Sequence, residues 1–156
     1  MKKILLALAA TFLAPALLSA AEPVASPEAV MLKVVDQFLA GFNQGDAKLM
    51  LAAGSEQMSI LDEFPPHEWH GAGALAKWLS DYAADAAKHG ITNGSVSIGK
   101  PSHIDVNDDD AYVVMKANYS FKRRGKLEEQ IGSAITITLH KGTDGWKITG
   151  WAWAKR

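Results

Sequence analysis

The stretch from Ala111 to Phe121 is the strongest constraint on what this chain can fold into. Val113, Met115, Ala117, Tyr119 and Phe121 fall on every second position, the spacing of a strand with one buried face. Arg123-Arg124-Gly125 fits a three-residue hairpin loop with Gly125 in the left-handed position. The returning strand then sets Phe121 against Leu127, Ala117 against Ile131 and Val113 against Ile135, apolar against apolar. The same register puts Glu129 opposite Tyr119. "KGTDG" turns the chain again, and Gly145 to Lys155 is the last strand. An antiparallel sheet of this length needs one face covered.

The cover lies upstream. Ser26-Pro27-Glu28 is a helix start, with a capping serine, proline at the first position and an acid in the first turn. Met31, Val34, Val35, Phe38 and Phe42 follow at helical spacing, and Gly45 ends the helix. Asp46 can cap a short helix through Leu51. Leu75, Trp78, Leu79, Tyr82, Ala83 and Ala86 form the stripe of a third helix, which Gly90 stops. Between these helices, residues 57–64 alternate as a strand with Met58, Ile60 and Asp62 on one face. Pro65-Pro66 interrupts any ladder, and "HEWH" is a second short extended piece. Residues 92–106 are extended but polar and bend at Gly99 and Pro101. Helices first and an antiparallel sheet last define an α+β fold: a curved sheet wrapped around about three N-terminal helices, with a conical cavity between them.

Residues 1–21 stand apart. Lys2 and Lys3, the apolar run Ile4–Leu18 and the small residues Ser19-Ala20-Ala21 have the form of a secretory signal peptide, cut after Ala21 or Ala20. Residues 22–27 read as an exposed leader and 28–156 as one domain. Processing would leave the protein periplasmic or secreted, without a membrane segment. It also removes two lysines, and 16 − 2 = 14 basic against 17 acidic residues gives a net charge of −3. That balance does not suit nucleic acid. With no cysteine, the core alone must hold the fold.

Three segments carry a family resemblance. "DQFLAGFNQGD", "WHGAGALAKWL" and "DGWKITGWAWA" resemble the first-helix end, the strand-to-helix passage and the closing strand of the nuclear transport factor 2-like superfamily, which includes SnoaL-like proteins and ketosteroid isomerases. The resemblance implies a cone-shaped α+β barrel, a deep apolar pocket for a small apolar molecule and a homodimer. In ketosteroid isomerases a first-strand aspartate moves the proton, while a helix tyrosine and a protonated late-strand aspartate hold the oxyanion. Asp62 falls at the base position. Phe38 replaces the tyrosine, and Ala134 or Ile135 falls where the late acid would be. Neither position offers a side-chain donor, which argues against ketosteroid isomerase activity itself.

Other candidates follow from strand and helix faces. His67 and Trp69 share one side of the short extended piece, and His67 could donate where Phe38 cannot. Glu63, Glu68 and His70 read as surface. The spacing H-E-x-H is not the zinc-protease H-E-x-x-H, so neither a metal nor another cofactor is expected. Phe38, Trp69, Trp78, Tyr82, Met115 and Tyr119 are expected to line the pocket, with a Tyr119–Glu129 pair at its mouth. On the last strand, Trp146, Ile148 and Gly150 share one face and Trp151 and Trp153 the other. The two tryptophans would then anchor a dimer, unless a bulge turns one inward. Three functions stay open: a proton-transfer enzyme with Asp62 as base, a non-catalytic binder with the same pocket, and an interaction module working through the sheet.

Overall fold

The computed structural model describes residues 26–156, so the signal peptide at 1–21 and most of the leader lie outside the described residues. Helix α1 (Pro27–Gln44) starts at the expected cap, where Ser26 Oγ accepts from the Ala29 amide. Gly45 ends it at φ 68°, a left-handed conformation open to glycine. Asp46 caps α2 (Ala47–Ala53), which runs two residues beyond Leu51. Strands β1 (Gly54–Leu61) and β2 (Glu68–Ala72) precede α3 (Ala74–His89). Strands β3 (Ile91–Asn107), β4 (Asp110–Arg123), β5 (Lys126–Gly142) and β6 (Gly145–Ala154) complete the chain.

The six strands form one sheet in the order β2-β1-β6-β5-β4-β3. The sheet curves around the helices without closing, as an α+β cone. One pairing differs from a wholly antiparallel sheet: β1 runs parallel to β6. The helices bury Met31, Val35, Phe38, Met50, Leu75 and Trp78 against the inner strand faces, where Val113, Met115, Ile137 and Ile148 are all but inaccessible. This burial is the main favourable term holding the cone together. On the edge strand β3, Asn43 of α1 acts as a substitute strand. Its side chain accepts from the Val96 N–H at 2.8 Å and donates to the Val96 carbonyl at 2.9 Å, which ties helix to sheet.

A shorter loop and two bulges change the strand faces expected of β5 and β6: the loop inverts the start of β5, a bulge at Gly132 reverses it again, and a bulge on β6 inverts the end of that strand. The β4–β5 loop is Arg124-Gly125, both left-handed at φ 49° and 83°, and not three residues long. Phe121 therefore pairs with Glu128, and Tyr119 with Gln130. Further along, β5 carries one extra residue opposite Asn118. Gly132 turns left-handed there (φ 83°) and its amide donates to Asn118 Oδ1 at 2.8 Å. Ala117 consequently meets Ser133, Val113 meets Ile137, and Ile131 is pushed to the outside at 62% exposure. The Tyr119–Glu129 pair does not form: Glu129 pairs with Ser120 and is exposed.

On β6 the register slips between the pairs Thr138–Gly150 and Leu139–Ile148, leaving Thr149 as the extra residue. Trp146 and Ile148 point inward before the slip, and Trp151 and Trp153 point inward after it. Trp151 is only 6% exposed, so these two tryptophans are not anchors of an outer-face dimer. Gly150 at the bulge is required by close approach: a Cβ there would collide with the Ser59 carbonyl of β1.

Candidate active site

The inward faces enclose a cavity of about 300 Å³ between α1, α3 and the sheet. It is not filled by the side chains expected to line it. Phe38 and Phe42 come from α1; Trp78, Tyr82, Asp85 and His89 come from one face of α3. The sheet supplies Tyr119, Phe121, Gln130, Trp151 and Trp153. The rings support one another: Trp78 stacks on Tyr82 at 5.4 Å and 11°, and packs edge-on to Trp151 at 5.2 Å.

Asp62 lies at the wall of this cavity. Strand β1 ends one residue earlier, at Leu61, so Asp62 opens the following loop instead of closing the strand. The loop is pinned by its own backbone: the Asp62 amide donates to the His67 carbonyl at 3.0 Å, and the His67 amide to the Phe64 carbonyl at 2.9 Å. Asp62 Oδ1 accepts from the Glu63 amide at 2.7 Å, and Oδ2 accepts from the Trp78 indole at 2.9 Å. Burial dominates and pushes the carboxyl up to about 6, against these donors and a weaker pull from the Trp151 indole. A carboxyl so placed changes protonation within reach of neutral pH, as a general base requires.

A second polar group faces the same space. Tyr82 and Tyr119 share a hydrogen bond of 2.7 Å between their phenol oxygens. Desolvation raises both phenols above their ordinary value, so they are proton donors and not phenolates at neutral pH. One phenol donates to the other, and the second proton is left for a ligand oxygen. Gly94 of β3 makes room for the pair, since a Cβ there would strike both hydroxyls.

Several expectations need correction. His67 is exposed, outside the cavity, with its ring Nδ1 3.2 Å from the Asp62 backbone oxygen. Trp69 is buried but belongs to the supporting core; its indole donates to Asp81 at 2.8 Å. Met115 is core and does not reach the cavity. Glu63, read as surface, stands at the cavity rim in an ion pair with Lys155 at 2.9 Å. Phe64, Gln130 and Lys155 are lining residues that the sequence reading missed. Phe64 carried a usable signal, as an aromatic two residues after Asp62; Gln130 and Lys155 carried none before the bulges were known. Among the described residues, no group of three or more histidine, aspartate or glutamate side chains is placed to hold a metal ion.

Replacing Trp78 by phenylalanine removes the donor to Asp62 Oδ2 and keeps most of the ring packing. The Asp62 pKa is expected to rise above about 6, read by carboxyl carbon-13 chemical shifts across a pH titration. An unchanged or lower pKa would show that the indole does not stabilise the carboxylate.

An α+β cone enclosing an aromatic cavity, with one raised carboxyl at its wall, defines a class of small pocket proteins. Within that class the chain belongs to the SnoaL-like domain family, whose pattern matches residues 31–152. Solved structures agree on the fold. The chain is similar to a nuclear transport factor 2-like protein with a cystatin-like fold from Novosphingobium aromaticivorans (15% identity, TM-score 0.65, covering 83% of this chain and 81% of that one). It is also similar to a ketosteroid isomerase-like protein from Erwinia carotovora atroseptica (16% identity, TM-score 0.64, 81% and 94%). A third is a nuclear transport factor 2-like superfamily protein from Salmonella enterica serovar Typhimurium (13% identity, TM-score 0.67, 83% and 89%). At these identities the likeness speaks for the fold alone. No curated protein matches the sequence.

Proposed function

We propose that this chain is an exported pocket enzyme that moves a proton on a small apolar carbonyl compound, with Asp62 as the base. The observation that carries the reading is the Asp62 carboxyl at the wall of an aromatic cavity, raised to about 6 by burial. The Tyr82–Tyr119 pair takes the donor role that Phe38 and Ala134 or Ile135 cannot fill. In the proposed step, Asp62 accepts the proton from carbon next to a carbonyl, the C–H electrons move into the enolate, and the free phenol proton hydrogen-bonds its oxygen. The test is proton exchange into 2-tetralone, an apolar bicyclic ketone with benzylic hydrogens beside the carbonyl. Proton NMR in deuterium oxide should show loss of those hydrogens faster with the protein than with buffer alone. Exchange at the buffer rate across a panel of such ketones would overturn the reading.

A second reading has one observation in its favour. Both Asp62 oxygens already accept a hydrogen bond from the protein, as they would if the carboxylate only oriented a ligand. In that case the pocket binds without turnover. Export rests on the pattern of residues 1–21, and an exported chain that still begins at Met1 would exclude a cleaved signal. A homodimer is proposed on the family likeness alone, with contacts on the outer sheet face away from Trp151 and Trp153. A monomer in sedimentation would remove it.

A further inference from the structure

Gln130 Oε1, Ser133 Oγ and Trp153 Nε1 are buried side-chain atoms without a hydrogen-bond partner. Such atoms are uncommon in folded proteins, and each carries an uncompensated desolvation cost. These three are not scattered. Ser133 and Gln130 flank the Gly132 bulge on the inner face of β5, and Trp153 pairs with Ile135 on the adjoining strand β6. Ser133 is 1% exposed, while Gln130 and Trp153 both line the cavity. The charged groups nearby are already engaged: Lys155 with Glu63, and Arg123 with Glu128. The wall is therefore neutral, with one indole donor, one hydroxyl and one carboxamide.

We infer that this patch of β5 and β6 is a polar subsite for a hydroxyl on the ligand's ring system, on the sheet wall beside Tyr119, which Gln130 pairs with. The inference rests on the pocket reading above and narrows its ligand to a hydroxylated aromatic or polycyclic molecule. A hydroxyl matches because it both gives and accepts. It can take the Trp153 N–H and donate to Gln130, and the match survives either orientation of the Gln130 amide. A carboxylate does not match, because no unpaired cation faces it. Both bulges are needed: without the slip at Thr149 the indole would point outward, and without the one at Gly132 an isoleucine would occupy the wall. The Gln130 and Trp153 polar atoms are themselves buried, so the proposed hydroxyl is bound only when both side chains turn toward the cavity.

The test uses two ring-matched probes, naphthalene and 2-naphthol, with affinities from equilibrium dialysis. Wild-type protein should bind 2-naphthol about tenfold tighter than naphthalene, the size of one net hydrogen bond. In the double variant Ser133→Ala/Trp153→Phe the ratio of the two affinities should fall to near one. If that variant binds neither probe, Gln130→Leu carries the same test. Equal affinities in wild type would overturn the subsite and leave the pocket standing. A preference that survives in these variants but disappears in Tyr82→Phe would also overturn it, by placing the hydroxyl on the phenol pair. Failure of wild type to bind either probe would remove the pocket reading and the subsite with it.

Discussion

Asp62→Asn is expected to slow protein-catalysed exchange of 2-tetralone by roughly 10²- to 10⁴-fold, the range that a positioned general base contributes. An amide of the same shape keeps the ring packing around it and has no lone pair basic enough to take a carbon-bound proton. The wild-type rate should rise through pH about 6 and level off above it, because the base acts only when ionised. The variant should be flat across that window. Proton NMR of the exchanging hydrogens, at fixed ketone concentration from pH 4.5 to 8, reads both features. A variant that exchanges as fast as wild type would remove Asp62 as the base and favour the binder. In a binder, Asp62→Asn changes affinity only.

The second large effect is on stability. Burial holds the folded-state Asp62 pKa at about 6, against 3.8 for the unperturbed group. The folded protein therefore keeps this proton more firmly than the unfolded chain does. The associated stability is fully present below pH about 3.8 and is lost as pH rises through about 6. At neutral pH the ionised carboxylate is a liability retained at the site. Asparagine does not titrate, so the variant lacks this loss. Between pH 3.5 and 7.5 the stability of Asp62→Asn relative to wild type should improve by about 2 kcal/mol, allowing for residual solvent around the carboxylate. Other acids titrate in both proteins and cancel in the difference. The lost acceptor is a constant offset, because the new amide NH₂ must face either the Glu63 or the Trp78 N–H. Urea unfolding of both proteins at matched pH gives the difference directly, and a difference independent of pH would show that Asp62 is not desolvated.

Much of this architecture was legible in the chain. Ser26, Gly45, Asp46 and Gly90 each carry a local conformational requirement, and the structure ends or begins helices at each. The stripe on α3 put Trp78 and Tyr82 on one face because the helical period is set by the backbone. The parity of Met58 and Ile60 on β1 also held, since no bulge separates them from Asp62. These are short-range properties, and nearby residues suffice to state them.

The faces of β5 and β6 could not be read in the same way. Strand alternation counts residues, and one extra residue reverses every face beyond it. Leu127 and Ile131 are apolar and matched Phe121 and Ala117 well on paper, yet Gly132 and the side chain of Asn118 favour a bulge that turns Ile131 out. At Thr149 and Gly150 a second bulge turns Trp151 and Trp153 inward, where β1 approaches β6 more closely than any Cβ would allow. So the sequence determined the helices, the strand order along the chain, the aspartate and its position before the proline break. Only the tertiary structure decided which side chains share the cavity with that aspartate. The reason is that a bulge is selected by the fit of distant strands to one another, and no local pattern encodes that fit.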